Sequence, residues 1–198
     1  MGMIDTWIGA FTKPADTFKK ESKNATIGKG AVNFLIGFFV YGLILGIIAM
    51  IGVGATMSAF GLGAGAGILV LLMCVIGYPI IGLICAFIGV GILHLVAGLF
   101  GGKGNYGTLF GYMGMYTAPL LIISGILMII PIVGGLVSLL LGLYSLYLLT
   151  VAIRENYGLT TMKAVLVWIV PSIVVAILAT LFVGAAVLAM LGGAGAYY

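Results

Sequence analysis

The chain has 198 residues, 64% of them hydrophobic and only 6% charged, where a soluble domain carries about 25% charged residues. Too few polar side chains exist to coat a water-facing surface, which excludes a soluble globular protein and leaves an all-α integral membrane protein. The net charge of +4 needs no nucleic acid to explain it, because its basic excess falls beside the expected membrane spans.

The N-terminal segment, residues 1–30, is the one long polar piece. Ile4, Trp7, Ile8 and Phe11 recur at i, i+3, i+4 and i+7, one face of a helix. Asp5 is placed to cap its start, and Pro14 to begin a second short helix. A basic amphipathic segment of this kind is expected to lie in the membrane interface, in preference to packing on the ends of the bundle. Trp7, Phe11 and Phe18 would anchor it, while Lys19, Lys20 and Lys23 would draw it to anionic lipid or an acidic partner. The segment has no apolar stretch of the kind that marks a cleavable signal peptide. The triplet Asn24-Ala25-Thr26 fits a glycosylation site but falls on the expected cytoplasmic side, so it reads as chance.

Uncharged runs then count the spans. No Lys, Arg, Asp or Glu occurs in the 73 residues between Lys29 and Lys103, the 50 between Lys103 and Arg154, or the 35 after Lys163. One crossing takes about 20 residues, so the runs hold two, two and one. Glycine-dense "GATMSAFGLGAGAG" (54–67) and "IPIVGG" (130–135) divide the first two runs. The spans are expected at about 31–53, 68–97, 106–129, 132–153 and 163–189, forming a five-helix transmembrane domain over 31–190. Pro79 and Pro119 interrupt the second and third spans, and Pro79 is expected to kink its helix.

All eight basic residues lie before span one, between spans two and three, or between spans four and five. With five spans these segments share one side, so the N-terminus is expected to be cytoplasmic and the C-terminal "GGAGAYY" external, in a multi-pass protein of the cell membrane.

"GGKGNYG" (101–107) has the G-x-G-x-x-G spacing of dinucleotide-binding turns. That fingerprint needs a preceding strand and an acidic residue about 20 positions on. Two spans precede it instead, and no Asp or Glu occurs between Glu21 and Glu155. Gly107, Gly111, Gly114, Ala118 and Gly125 instead form a smooth stripe along span three, which lets helix backbones approach closely in lipid. Gly101, Gly102 and Gly104 make the turn before it. Similar stripes run through Gly42, Gly46 and Ala49, through Gly82, Cys85, Ala86 and Gly89, and through Gly135, Ser138, Gly142 and Ser145.

A charge at the bilayer centre costs at least about 2.5–3.5 kcal/mol, and this chain keeps none there. His94, the single histidine, cannot form a metal site alone and reads as an interfacial polar residue. Ser138 and Ser145 have no base nearby, and their hydroxyls suit the carbonyls of the preceding turn. Tyr112, Tyr116, Tyr144 and Tyr147 read as core residues whose hydroxyls want partners. Cys74 and Cys85 lie about 16 Å apart along one helix, too far for a disulfide. No catalytic, metal-binding or cofactor-binding set emerges, so no enzyme activity and no cofactor are expected.

"FTKPADTF" (11–18), "GGKGNYGTLFGYMGMYTAPLL" (101–121) and "IRENYGLTTMKAV" (153–165), in this order among five spans, resemble the Yip family of Ypt/Rab-interacting membrane proteins. The resemblance covers residues from about 11 to 190. It implies a five-span membrane protein with a cytoplasmic N-terminus, and in eukaryotes the family is linked to Rab-type small GTPases and vesicle formation. The Asp-Leu-Tyr-Gly-Pro motif of many eukaryotic members is absent and the polar segment is short. The chain therefore looks like a compact archaeal or bacterial member, and GTPase binding is not carried over. The expected function is a non-enzymatic membrane organiser or recruiter working from its cytoplasmic face; the alternative is a small passive channel or transporter for an uncharged solute. Expected partners are membrane lipids, with a cytoplasmic protein and a homo-oligomer left open, and no nucleic acid.

Overall fold

The computed structural model describes residues 2–60, 65–130 and 132–194. Two short helices, α1 (Met3–Thr12) and α2 (Pro14–Glu21), precede five long ones. These are α3 (Ile27–Ala59), α4 (Gly65–Leu99), α5 (Tyr106–Leu127), α6 (Val133–Tyr157) and α7 (Thr161–Ala194). Each of the five is long and apolar enough to cross a membrane. The fold is all-α, and the chain is a multi-pass membrane protein.

α5 is the centre of the bundle. Of its most apolar stretch 56% is buried in protein, against 6% for α4 and for α7, whose leucines and isoleucines point outward. α3 runs parallel to α5 in close contact. A Cβ at Gly37 would lie 2.8 Å from the Ala118 Cα, and one at Gly125 would lie 3.0 Å from the Ile44 side chain. The two pairs share an offset of 81 residues, so the helices stay in register along their length. Small residues make this possible, because in lipid helices associate by close packing and not by escaping water.

Several boundaries depart from the expected ones. α3 continues through residues 54–59, which glycine content had assigned to a turn. Residues 61–64 of that stretch, Pro131 of "IPIVGG" and residues 195–198 of the C-terminal "GGAGAYY" lie outside the described residues. In place of a simple kink at Pro79, α4 contains one turn of π-helix at Met73–Gly77. Proline lacks an N–H and crowds the carbonyl four residues back, and the wider turn before it takes up that defect. A third proline, Pro171, also lies inside a span, in α7.

Candidate functional site at the charged end

The start of α3, the end of α4, the start of α5, the end of α6 and the start of α7 meet at one end of the bundle. Ile27 packs on Gly107, Gly102 packs on Tyr157, and the Lys163 ammonium donates to the Phe100 carbonyl at 3.1 Å. All twelve Lys, Arg, Asp and Glu residues belong to these helix ends, their turns, or α1 and α2. This end carries every charged side chain of the protein.

α1 and α2 form a helical hairpin seated on the bundle. Asp5 accepts from the Gly2 N–H at 3.3 Å and opens α1, and Pro14 sits in the first turn of α2, where its missing N–H costs nothing. The two helices touch at Gly9, where a Cβ would lie 2.7 Å from the Thr17 hydroxyl. Short helices leave their last carbonyls without partners, and tyrosines of the bundle supply them. The Tyr112 hydroxyl donates to the Phe18 carbonyl at 2.5 Å, near the end of α2. The Tyr144 hydroxyl donates to the Phe11 carbonyl, near the end of α1. The Trp7 indole donates to Asn33 of α3 at 2.7 Å. Phe18 is fully buried and stacks on Tyr112 with ring centroids 4.7 Å apart. At the hairpin's end the Lys19 ammonium lies 3.6 Å from Glu155, which Arg154 also holds at 2.8 Å.

This seat revises the expected interfacial helix. The apolar face of α1 is split: Trp7 and Phe11 turn toward the bundle, while Ile4 and Ile8 are exposed. Phe18 is no surface anchor, because its ring is fully buried against Tyr112 and Tyr116 of α5. Of the six residues read as partner or lipid contacts, Lys19, Lys20 and Lys23 are exposed, Trp7 and Phe11 are half-buried, and Phe18 is buried.

The opening glycine motif also has a structural role here. The Gly101 N–H donates to Gly98 and the Gly102 N–H to Ala97, both at 2.9 Å. This satisfies the last carbonyls of α4, with Gly101 at φ +84, a left-handed conformation that glycine adopts without a Cβ penalty. Asn105 then caps α5 through the Thr108 N–H at 3.2 Å. The end of α6 repeats the tripeptide that opens α5: Asn105-Tyr106-Gly107 faces Asn156-Tyr157-Gly158. The Asn156 amide donates to the Asn105 carbonyl at 2.9 Å, and the Asn105 N–H donates back to Asn156 at 3.4 Å. His94 lies between the two tyrosines. Its Nδ1 is 2.6 Å from the Tyr157 hydroxyl, and its ring meets the edge of Tyr106. The sequence carried a signal for this clasp, the repeated Asn-Tyr-Gly, and reading each turn separately missed it.

The stripe on α5 faces α3 and the residues that lead into it. A Cβ at Gly111 would lie 2.9 Å from Ala25, and one at Gly114 would lie 2.6 Å from the Gly30 carbonyl. Gly107 adjoins Ile27, Ala118 faces Gly37, and Gly125 faces Ile44. Gly42 and Gly46 of α3 meet Cys74 and Leu71 of α4. The stripe on α6 does not pack in this way. Gly135 and Gly142 have nothing within 4 Å, and Gly142, Ser138 and Ser145 border a cavity of about 340 Å³ between α5 and α6. Gly89 of α4 likewise faces open space. Ser145 donates to the Gly142 carbonyl at 2.7 Å, and Thr26 of the glycosylation-like triplet caps α3. Among the described residues no three His, Cys, Asp or Glu side chains converge to hold a metal.

The Yip1 domain family matches this chain over residues 8–195. No curated protein and no solved structure matches it.

Proposed function

The match spans nearly the whole chain, so the chain belongs to the Yip1 domain family, and from that membership we propose that it is a non-enzymatic membrane protein that recruits partners or organises lipid at its charged end. One observation carries the reading: every charged side chain stands at that end, around a hairpin built onto the bundle. Lys20 and Lys23 are exposed at the end of the hairpin, and Ile4 and Ile8 of α1 offer exposed apolar surface. That combination suits contact with an anionic leaflet and with a cytoplasmic protein. The basic residues orient this end toward the cytoplasm and the C-terminus outward, in a cell membrane.

The test uses Lys20→Glu/Lys23→Glu, which reverses two exposed charges and leaves the hairpin seat alone. Quantitative proteomics and lipidomics of the protein cross-linked in its native membranes would be compared with those of the unaltered chain. The double variant is expected to insert with the same protease-protection pattern and to lose its principal partner or anionic-lipid enrichment. Full retention of both would sink the recruiting role.

A further inference from the structure

A groove of about 1040 Å³ is walled by α4 and α7, with α3, α5 and α6 behind it. Small residues of α4 (Gly77, Cys85, Ala86 and Gly89) form one side, and Trp168 and Pro171 of α7 form the other. Gly77 and Gly89 have nothing within 4 Å, so these positions open space instead of joining helices. Its wall is mostly apolar: the Ser172 hydroxyl donates to the Trp168 carbonyl at 2.6 Å and the Trp168 indole to Thr150 at 3.0 Å, and the Tyr78 and Thr117 hydroxyls are the other polar oxygens of its lining side chains. The groove therefore has little to offer water, and an empty one would forfeit dispersion contacts along its whole wall.

Its shape selects the occupant. On α4 the lining runs from Met73 to Leu93, about 30 Å of helix. An acyl chain of a bilayer lipid can lie along a groove so lined, apolar over most of its length. Toward the charged end the groove finishes at Trp168, the residue type that favours the headgroup level of a bilayer. Lys163 follows five residues on toward that end, about 8 Å along α7, with its ammonium beside the Phe100 carbonyl. It is the one cation near this mouth on α4 or α7 among the described residues.

We propose that this groove is a lipid-binding site that takes the acyl chain of an anionic phospholipid, with the phosphate at Lys163. The site is separate from the hairpin and stands whether or not the hairpin recruits a partner.

Native mass spectrometry of the full chain in mild detergent, titrated with phosphatidylglycerol or phosphatidylcholine, tests it. The unaltered protein is expected to hold one phosphatidylglycerol tightly and phosphatidylcholine more weakly. Gly89→Phe puts a ring into open space and is expected to abolish that adduct while thermal stability is kept. Ala176→Phe, entering from the opposite wall, should do the same and covers the case in which Gly89→Phe fails to fold. Lys163→Gln is expected to keep an adduct and remove the headgroup preference. Adducts that survive both phenylalanine variants overturn the site. So does a dimer that both variants dissociate, because the groove would then hold a second copy. Equal binding of the two lipids by the unaltered chain overturns the role of Lys163.

Discussion

At the scale of single residues, what matters for each glycine is the atom that a Cβ would meet. Gly114 faces backbone, with the Gly30 carbonyl at 2.6 Å, and backbone cannot step aside. Gly114→Ala is therefore expected to cost about 1–3 kcal/mol, read as a fall of about 2–4 °C in detergent Tm per kcal/mol. Gly98 faces nothing within 4 Å, so Gly98→Ala should leave Tm unchanged or raise it by up to the helix-propensity gain of about 1 kcal/mol. Equal Tm values for the two variants would refute the close packing of α3 on α5. His94 gives a second residue-scale prediction. Tyr157 is buried, and His94→Leu leaves its hydroxyl without the 2.6 Å partner, a loss of about 1–3 kcal/mol. Adding Tyr157→Phe removes the orphan as well, so the double variant should melt above His94→Leu alone. The stripe on α5 was legible because 3.6-residue periodicity fixes which residues share a face. It does not fix what that face meets, and for that reason Gly135 and Gly142 were misread as packing positions.

At the scale of elements, the docked hairpin is the feature that departs most from the sequence reading. Apolar periodicity over Ile4, Trp7, Ile8 and Phe11 describes a face equally suited to lipid or protein. The groups that decide between them, the Tyr112 and Tyr144 hydroxyls, come from helices more than 90 residues away. The count of five spans, the short helix starting at Pro14 and the turn at Gly101, Gly102 and Gly104 were legible, because each rests on a local signal: charge-free length, a missing N–H, clustered glycines. The tyrosines also set the stability of the hairpin. Tyr112→Phe and Tyr144→Phe each strand a helix-terminal carbonyl, at about 1–3 kcal/mol apiece. Hydrogen exchange over residues 9–23 should then quicken by about 5- to 150-fold per variant, since 1.4 kcal/mol is tenfold in the opening equilibrium. Exchange in the body of α5 should not change. Unaltered protection of residues 9–23 in the double variant would show that the hairpin is held by something else.

For the whole molecule, parallel α3 and α5 with antiparallel partners place Ser22 and Lys103 at the charged end, and Phe60 and Ile132 at the other. In a background without Cys74 and Cys85, cysteines at Ser22 and Lys103 should react with an impermeant reagent only from the cytoplasmic side. Those at Phe60 and Ile132, both exposed, should react only from outside. Labelling of Ser22 and Lys103 from opposite faces would break the five-span topology.

The hairpin also makes the charged-end half of the molecule wider than the other. It meets α6 at Tyr144, near the middle of that helix, so seven helices share the charged-end half where five occupy the other. A body broader in one monolayer strains a flat bilayer less where that monolayer is stretched. The protein should therefore concentrate on membranes that bulge toward its charged end. Reconstituted with that end outward, it should be denser on small liposomes than on large ones. The Tyr112→Phe/Tyr144→Phe variant, with its hairpin loosened, should lose that sorting.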